Sequence, residues 1–408
     1  MISPIIATGL LSGYILIMAL MLSQISHVSN MKSNGKSDIA LDFVRVKRDL
    51  IGLYGKDLFE YFKTTLPRLP PTSDFGNSNQ PLRRTNISRL YDSFHNYLFF
   101  ESGTSVVQKL TQDVTIVPNA HSHNDYWRSL PLFEALVYGI TSVEADVWLT
   151  ENDTSLSVSH DRRHIDPKHK TLDLLYTSPI LKMLDEVNDK SKDFSGDNDK
   201  QSLHGVFYGA SSQSLQLLID FKSEDNSKTY FVLMNKYLRP FVEKNYLSYV
   251  DLITNEVVKG PMTIVLTGNY PNETNILDNS EQGISYEEEG LGFFADNKRY
   301  VFLDLPLHDK EAQDKLPTSV LASASLSQLL TSCHSSPYIA KFHGHLSDNE
   351  VKCIRTFIEH AKENNLTTRI WGVPEWPVSR RNTLWNQQYY DIQVDYINTD
   401  DLKAISEF

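Results

Sequence analysis

A chain of 408 residues with a formal charge of −12 is long enough for one large domain with an extension, or for two domains. The acidic balance excludes a general nucleic-acid-binding surface, which needs basic patches, and neither zinc-finger spacing nor a Walker-type glycine loop occurs. The two cysteines, Cys333 and Cys353, make no disulfide framework; two free buried thiols are expected ahead of a single bridge.

Residues 1–31 carry no charged side chain, and Ile5 to Leu22 is mostly apolar, which predicts a membrane anchor over residues 4–23, with a cleaved signal or targeting segment as the alternative. Lys32, Lys36, Arg45, Lys47 and Arg48 follow it and would hold that side in the cytoplasm. Four glycosylation sequons, at Asn86, Asn152, Asn272 and Asn365, favour a lumenal body instead. About four arise by chance among this chain's asparagines, so a single-pass, membrane-associated protein is expected with its side and organelle, endomembrane or mitochondrial, left open.

Residues 32–112 read as a helical extension and linker: amphipathic DFVRVKRDLIGLYGKDLFEYFKTTL, then PRLPPTSDFGNSNQPL, then ISRLYDSFHNYLFF. Their simplest role is to cover apolar surface of the domain that follows.

From residue 113 strands and helices alternate. A strand over 114–118 ends ahead of His121, and a helix-like piece with Leu130, Leu132, Phe133, Leu136 and Val137 on one face stops at Gly139. A buried strand over 142–149 carries Glu144 and Asp146, whose spacing of two puts both carboxylates on one face. Two acids there need a divalent cation or basic side chains as companions, because an unpaired buried carboxylate costs several kcal/mol. LSVSHD then runs extended to His160 and Asp161. Two histidines flanking a carboxylate pair suit a general base and a general acid.

KMLDEVNDKSKDFSGDNDKQSLHG is expected to be a mobile loop. A strand over 215–221 follows, with Asp220 and Lys222 two apart: Asp220 as a third metal ligand and Lys222 as an anion binder, or the two as a buried pair bridging strands. Further strands are predicted at 262–268, 300–306, 319–325, 367–374 and 394–400, with an irregular stretch between 268 and 300. SDNEVKCIRTFIEHAKENN opens with Ser347 and Glu350, a capping-box signature. Eight strands with intervening helices predict an α/β fold, a (β/α)8 TIM barrel over 113–408, with its functional residues at the carboxyl ends of the strands.

AHSHNDYWR (120–128), SVEADVWL, HD (160–161), Asp220 with Lys222, RIWGVPEWP and YINTDDL together resemble the phospholipase-C-like phosphodiesterase superfamily, glycerophosphodiester phosphodiesterases among them, and more closely the fungal altered inheritance of mitochondria protein 6 family. The resemblance implies a phosphodiester-cleaving barrel acting on a small molecule or a lipid headgroup. It also implies one Mg²⁺ or Ca²⁺ on Glu144, Asp146 and Asp220, with His121 as base and His160 as acid; an all-oxygen ligand set suits these hard ions. Two departures from the glycerophosphodiesterase pattern stand out: AHSHND where a His-Arg-Gly turn is usual, and Asp220 in place of Glu. No glycerophosphate substrate is assigned.

His121 and His123 also form the H-x-H that opens metal-dependent amidohydrolase barrels, but the fifth and sixth predicted strands supply no further histidine. His123 is read as contacting the substrate phosphate or satisfying a loop hydrogen bond, and Asn124 as a turn residue beside Asp125. Tyr126, Trp127, Trp371 and Trp376 are expected at the mouth of the barrel, His343 and His345 in a loop, and Asp400 as a helix cap, with Asp304 a weaker site candidate. A catalytically silent, membrane-tethered scaffold barrel is the non-enzymatic alternative.

Overall fold

The computed structural model describes residues 50, 52–65, 90–150, 154–189, 203–271, 297–315 and 319–408. The predicted membrane segment lies outside them, as does the linker at 67–82; among the described residues no helix is long and apolar enough to cross a membrane.

Twelve strands are described: β1 Val117–Ser122, β2 Ile140–Leu149, β3 Leu156–Val158, β4 Leu215–Phe221, β5 Tyr249–Asp251, β6 Glu256–Val258, β7 Met262–Gly268, β8 Lys298–Arg299, β9 Phe302–Pro306, β10 Leu321–Ser325, β11 Thr367–Trp371 and β12 Tyr396–Thr399. Eight of these run parallel, in the order β1-β2-β4-β7-β9-β10-β11-β12, and β12 pairs back onto β1 to close a barrel. Helices lie between consecutive barrel strands, as the TIM-barrel expectation requires, except between β7 and β9, where residues 272–296 lie outside the described residues. All eight predicted strands form.

The first is displaced toward the carboxyl side of its predicted span, so His121 lies inside β1, opposite Ser142 and Asn398, and not in a loop beyond it. Local chemistry explains the shift. Gly139 turns at φ +78° so close to the Thr115 carbonyl that a Cβ there would overlap it, which uses 114–115 as a packing surface for the turn. Pro118 lacks an N–H, and the ladder to β2 loses register between Val117 and His121 before resuming.

Four further differences follow from contacts that linear spacing does not show. The stretch expected to be a mobile loop begins as helix, Ser178–Val187, and 190–202 lies outside the described residues. The three-stranded sheet β6-β5-β8 was not anticipated; its Val250 packs with Leu218, Val265, Phe302 and Leu321, filling the end of the barrel where β9 and β10 begin. Cys333 and Cys353 are disulfide-bonded, not free thiols: Cys333 caps the Leu326–Ser332 helix, Cys353 lies on the Asp348–Glu363 helix, and their Cα atoms are 5.9 Å apart. His343 ends the Pro337–His343 helix and only His345 lies beyond it. The Ser347–Glu350 capping box forms as expected.

Upstream helices cover the barrel flank. Phe62 stacks edge-on against Phe94, which meets Phe133 at 5.5 Å on the helix between β1 and β2.

Candidate metal centre and active site

The β2–β4 register places Asp146 directly beside Asp220, with Glu144 one inward-facing position below. One oxygen from each of these carboxylates lies within 4.8 Å of the others, close enough to share an ion. Among the described residues no other group of histidines, cysteines or acids is arranged in this way, so His121 and His123 join no amidohydrolase-like ligand set.

The three acids differ in acidity because their neighbours differ. Burial disfavours ionised Glu144, but the His121 ring and the Arg369 guanidinium outweigh it and hold its pKa below the ordinary value; Asn124 N–H also donates to Oε2 at 3.0 Å. Burial and the charges of Glu144 and Asp220 push Asp146 up to about 6, against the opposing pull of Lys222. Asp220 is also raised, chiefly by burial. Gly268, at φ +74°, makes room for it: a Cβ there would overlap Asp220 Oδ1.

His121 is fully buried. Its Nδ1 meets Ser142 Oγ at 2.7 Å, while Nε2 has no hydrogen-bond partner and sits 3.7 Å from Glu144 Oε2. Burial and the Arg369 charge lower its pKa to about 4, leaving a neutral imidazole at neutral pH. An orphaned buried nitrogen beside three converging carboxylates fits a site built around a cation and a small polar group. His160 is half-exposed on the other flank, with Nδ1 3.2 Å from Asp146 Oδ2 and its ring edge-on to Trp127 at 5.3 Å. The backbone holds it there: β3 pairs antiparallel with β2, and Ser159 N–H donates to the Asp146 carbonyl.

Lys222 Nζ lies 2.7 Å from Asp220 Oδ2 and 3.2 Å from Asp146 Oδ2. It therefore bridges strands within the acidic cluster, and those two carboxylates raise its pKa against the effect of burial. His123 makes the loop hydrogen bond, Nδ1 to Asp400 Oδ1 at 2.9 Å. Asp400 is thus engaged with His123, and the cap of the last helix is Asp401, which accepts from Ala404 N–H. Asn124 adopts the left-handed turn conformation at φ 46°. Arg128 donates to the carbonyls of His123 and Asp400, joining the ends of β1 and β12.

Two contributors were not picked out as site residues. Arg369 on β11 is buried across the lumen: Nη1 is 3.8 Å from Glu144 Oε1 and 3.1 Å from Asn398 Oδ1, Nη2 is 3.7 Å from Asp304 Oδ2, and Nε donates to Ser323 Oγ. Its signal was a lone arginine in TTRIW, a strand otherwise suited to burial. Tyr126, expected only at the rim, is buried with Oη 2.7 Å from Asp146 Oδ2. Trp127, Trp371 and Trp376 are exposed. His343 and His345 are exposed with rings 5.8 Å apart.

Comparisons with known proteins bear on the family. A family profile described as the AIM6-like phosphodiesterase domain matches residues 108–286. A Kluyveromyces lactis protein named Altered inheritance of mitochondria protein 6 is 62% identical over 100% of both chains. Proteins of the same name from Lachancea thermotolerans and Saccharomyces cerevisiae S288c are 42% and 38% identical, over 87% and 91% of this chain and 82% and 92% of theirs. No solved structure matches. With a phosphodiesterase-type domain and full-length relatives of one name, the chain belongs to the altered inheritance of mitochondria protein 6 family.

Proposed function

We propose that this barrel hydrolyses a phosphodiester, a small molecule or a lipid headgroup, with one Mg²⁺ or Ca²⁺ held by Glu144, Asp146 and Asp220. The observation that carries the reading is the convergence of these three carboxylates beside the unpartnered Nε2 of His121. When bound, such an ion supplies Lewis-acid stabilisation of a phosphoryl oxygen.

The protein's own groups do the rest. Neutral His121 accepts a proton at Nε2; because its ring is fully buried, the group it meets is water-sized, not the body of the substrate. His160, exposed at the rim, donates to the leaving oxygen. Lys222 neutralises Asp146 and Asp220 and offers its remaining N–H to the phosphate, and Tyr126 fixes the Asp146 carboxyl. Trp127 beside His160 supplies an apolar wall for the leaving group.

The test is hydrolysis of bis(p-nitrophenyl) phosphate, glycerophosphocholine and lysophosphatidylcholine, each with EDTA, Mg²⁺ or Ca²⁺. Activity restored by a divalent cation and lost in Glu144→Ala and His121→Ala supports the proposal. Turnover indifferent to both substitutions overturns the assignment of residues, and no turnover with any diester favours a silent scaffold.

A further inference from the structure

The sequons alone leave the compartment of the barrel open, but the structure adds two observations independent of any catalytic reading. Both cysteines of the chain are joined in one bridge, and both are partly exposed, within reach of soluble thiols. A reducing compartment keeps such pairs open, whereas an oxidising one closes them. The second observation concerns Asn365, whose sequon lies within the described residues. Asn365 is exposed at φ 59°, in the turn between the Asp348–Glu363 helix and β11, and among the described residues its carboxamide makes no hydrogen bond. The neighbouring Asn364 is tied down instead, donating to Asp314 and to the His360 carbonyl. Asn365 also precedes β11, at the end of the barrel opposite the carboxylates, so a bulky group there leaves the mouth open.

We propose that the barrel folds in an oxidising, glycosylating lumen, with Cys333–Cys353 closed and Asn365 bearing an N-linked oligosaccharide. Closing the bridge passes two electrons and two protons from the thiols to a protein disulfide oxidant, which is reduced to its dithiol. Glycosylation joins Asn365 Nδ2 to the anomeric carbon of an oligosaccharide carried on a polyprenyl pyrophosphate. The carbon–oxygen bond to that carrier breaks, the pyrophosphate leaves with the electron pair, and the amide proton passes to a base of the transferase.

The test uses the full chain produced in a yeast cell. Denatured protein is treated with a maleimide-polyethylene glycol before and after reduction, and native-sequence, Asn365→Gln and Thr367→Ser chains are compared with and without endoglycosidase H. The expected result is no maleimide label before reduction and two labels after it. The native chain should also migrate one glycan heavier than Asn365→Gln, with Thr367→Ser, which keeps the sequon, retaining the glycan. Thiols that label without reductant overturn the proposal. A closed bridge with identical mobility of native and Asn365→Gln chains overturns it too, and places the body in an oxidising space that does not glycosylate.

Discussion

Asp146 shows how the proposed centre ties stability to pH. Folding raises its pKa from 3.8 to about 6, so the carboxyl favours the folded state when protonated: that contribution is complete below pH 3.8 and is lost as pH rises through about 6. At pH 7.5 without cations, Asp146→Asn is therefore expected to stabilise the protein by roughly 1–3 kcal/mol. A bound divalent cation offsets the same repulsion, so Mg²⁺ or Ca²⁺ should raise the Tm of the native chain at pH 7.5, and this gain should fade as pH falls through about 6. Calorimetric scans across pH check both; a cation response that persists in Asp146→Asn would remove this residue from the ligand set. Arg369 is the converse case. Arg369→Met strands Glu144 and Asp304 in the lumen without their shared cation, and a loss of about 3–5 kcal/mol in denaturant unfolding is expected, partly recovered by adding Asp304→Asn. Glu144 and Asp146 were legible because two acids spaced by two on a buried strand already demand a counter-charge, and Asp220 because it stands two residues before Lys222 on another strand. Arg369 was not, since its partners come from four other strands, and the one-residue exchange of roles between Asp400 and Asp401 depends on backbone angles that no composition reveals.

Elements were legible where periodicity ruled and misplaced where a single backbone constraint did. Most barrel strands show in the sequence as apolar, β-branched runs, as in β2, β4 and β7, but β1 (VPNAHS) does not, and Pro118 and Gly139 decide its register and so bring His121 into the sheet. Gly268 plays a similar part at the end of β7. Its left-handed φ and the closeness of Asp220 Oδ1 make any side chain there both strained and obstructive. Gly268→Ala is expected to cost about 1–3 kcal/mol and to weaken cation binding at least tenfold by displacing the Asp220 carboxylate. Titration calorimetry with Ca²⁺ separates the two effects. Reduced stability with unchanged affinity would mean that Asp220 does not ligate the ion.

At the scale of the whole molecule, the barrel divides its interior between two tasks. Leu218, Val265, Phe302 and Leu321 fill one end together with Val250 from the small sheet, while Glu144, Asp146, Asp220, His121 and Arg369 occupy the lumen toward the other. The small sheet escaped prediction because β5, β6 and β8 span only two or three residues each, too short for an alternation to register, and because β8 joins it from across the stretch at 272–296. If the division holds, the two ends respond to substitution separately. Val250→Ala removes buried methyl groups at the packed end and should lower stability by about 2 kcal/mol. Cation affinity and any diesterase turnover should stay within twofold of the native chain, since Val250 packs among Leu218, Val265, Phe302 and Leu321. A loss of cation affinity in Val250→Ala that tracks its loss of stability would show that the packed layer sets the carboxylate geometry, and the barrel would then have to be treated as one coupled unit.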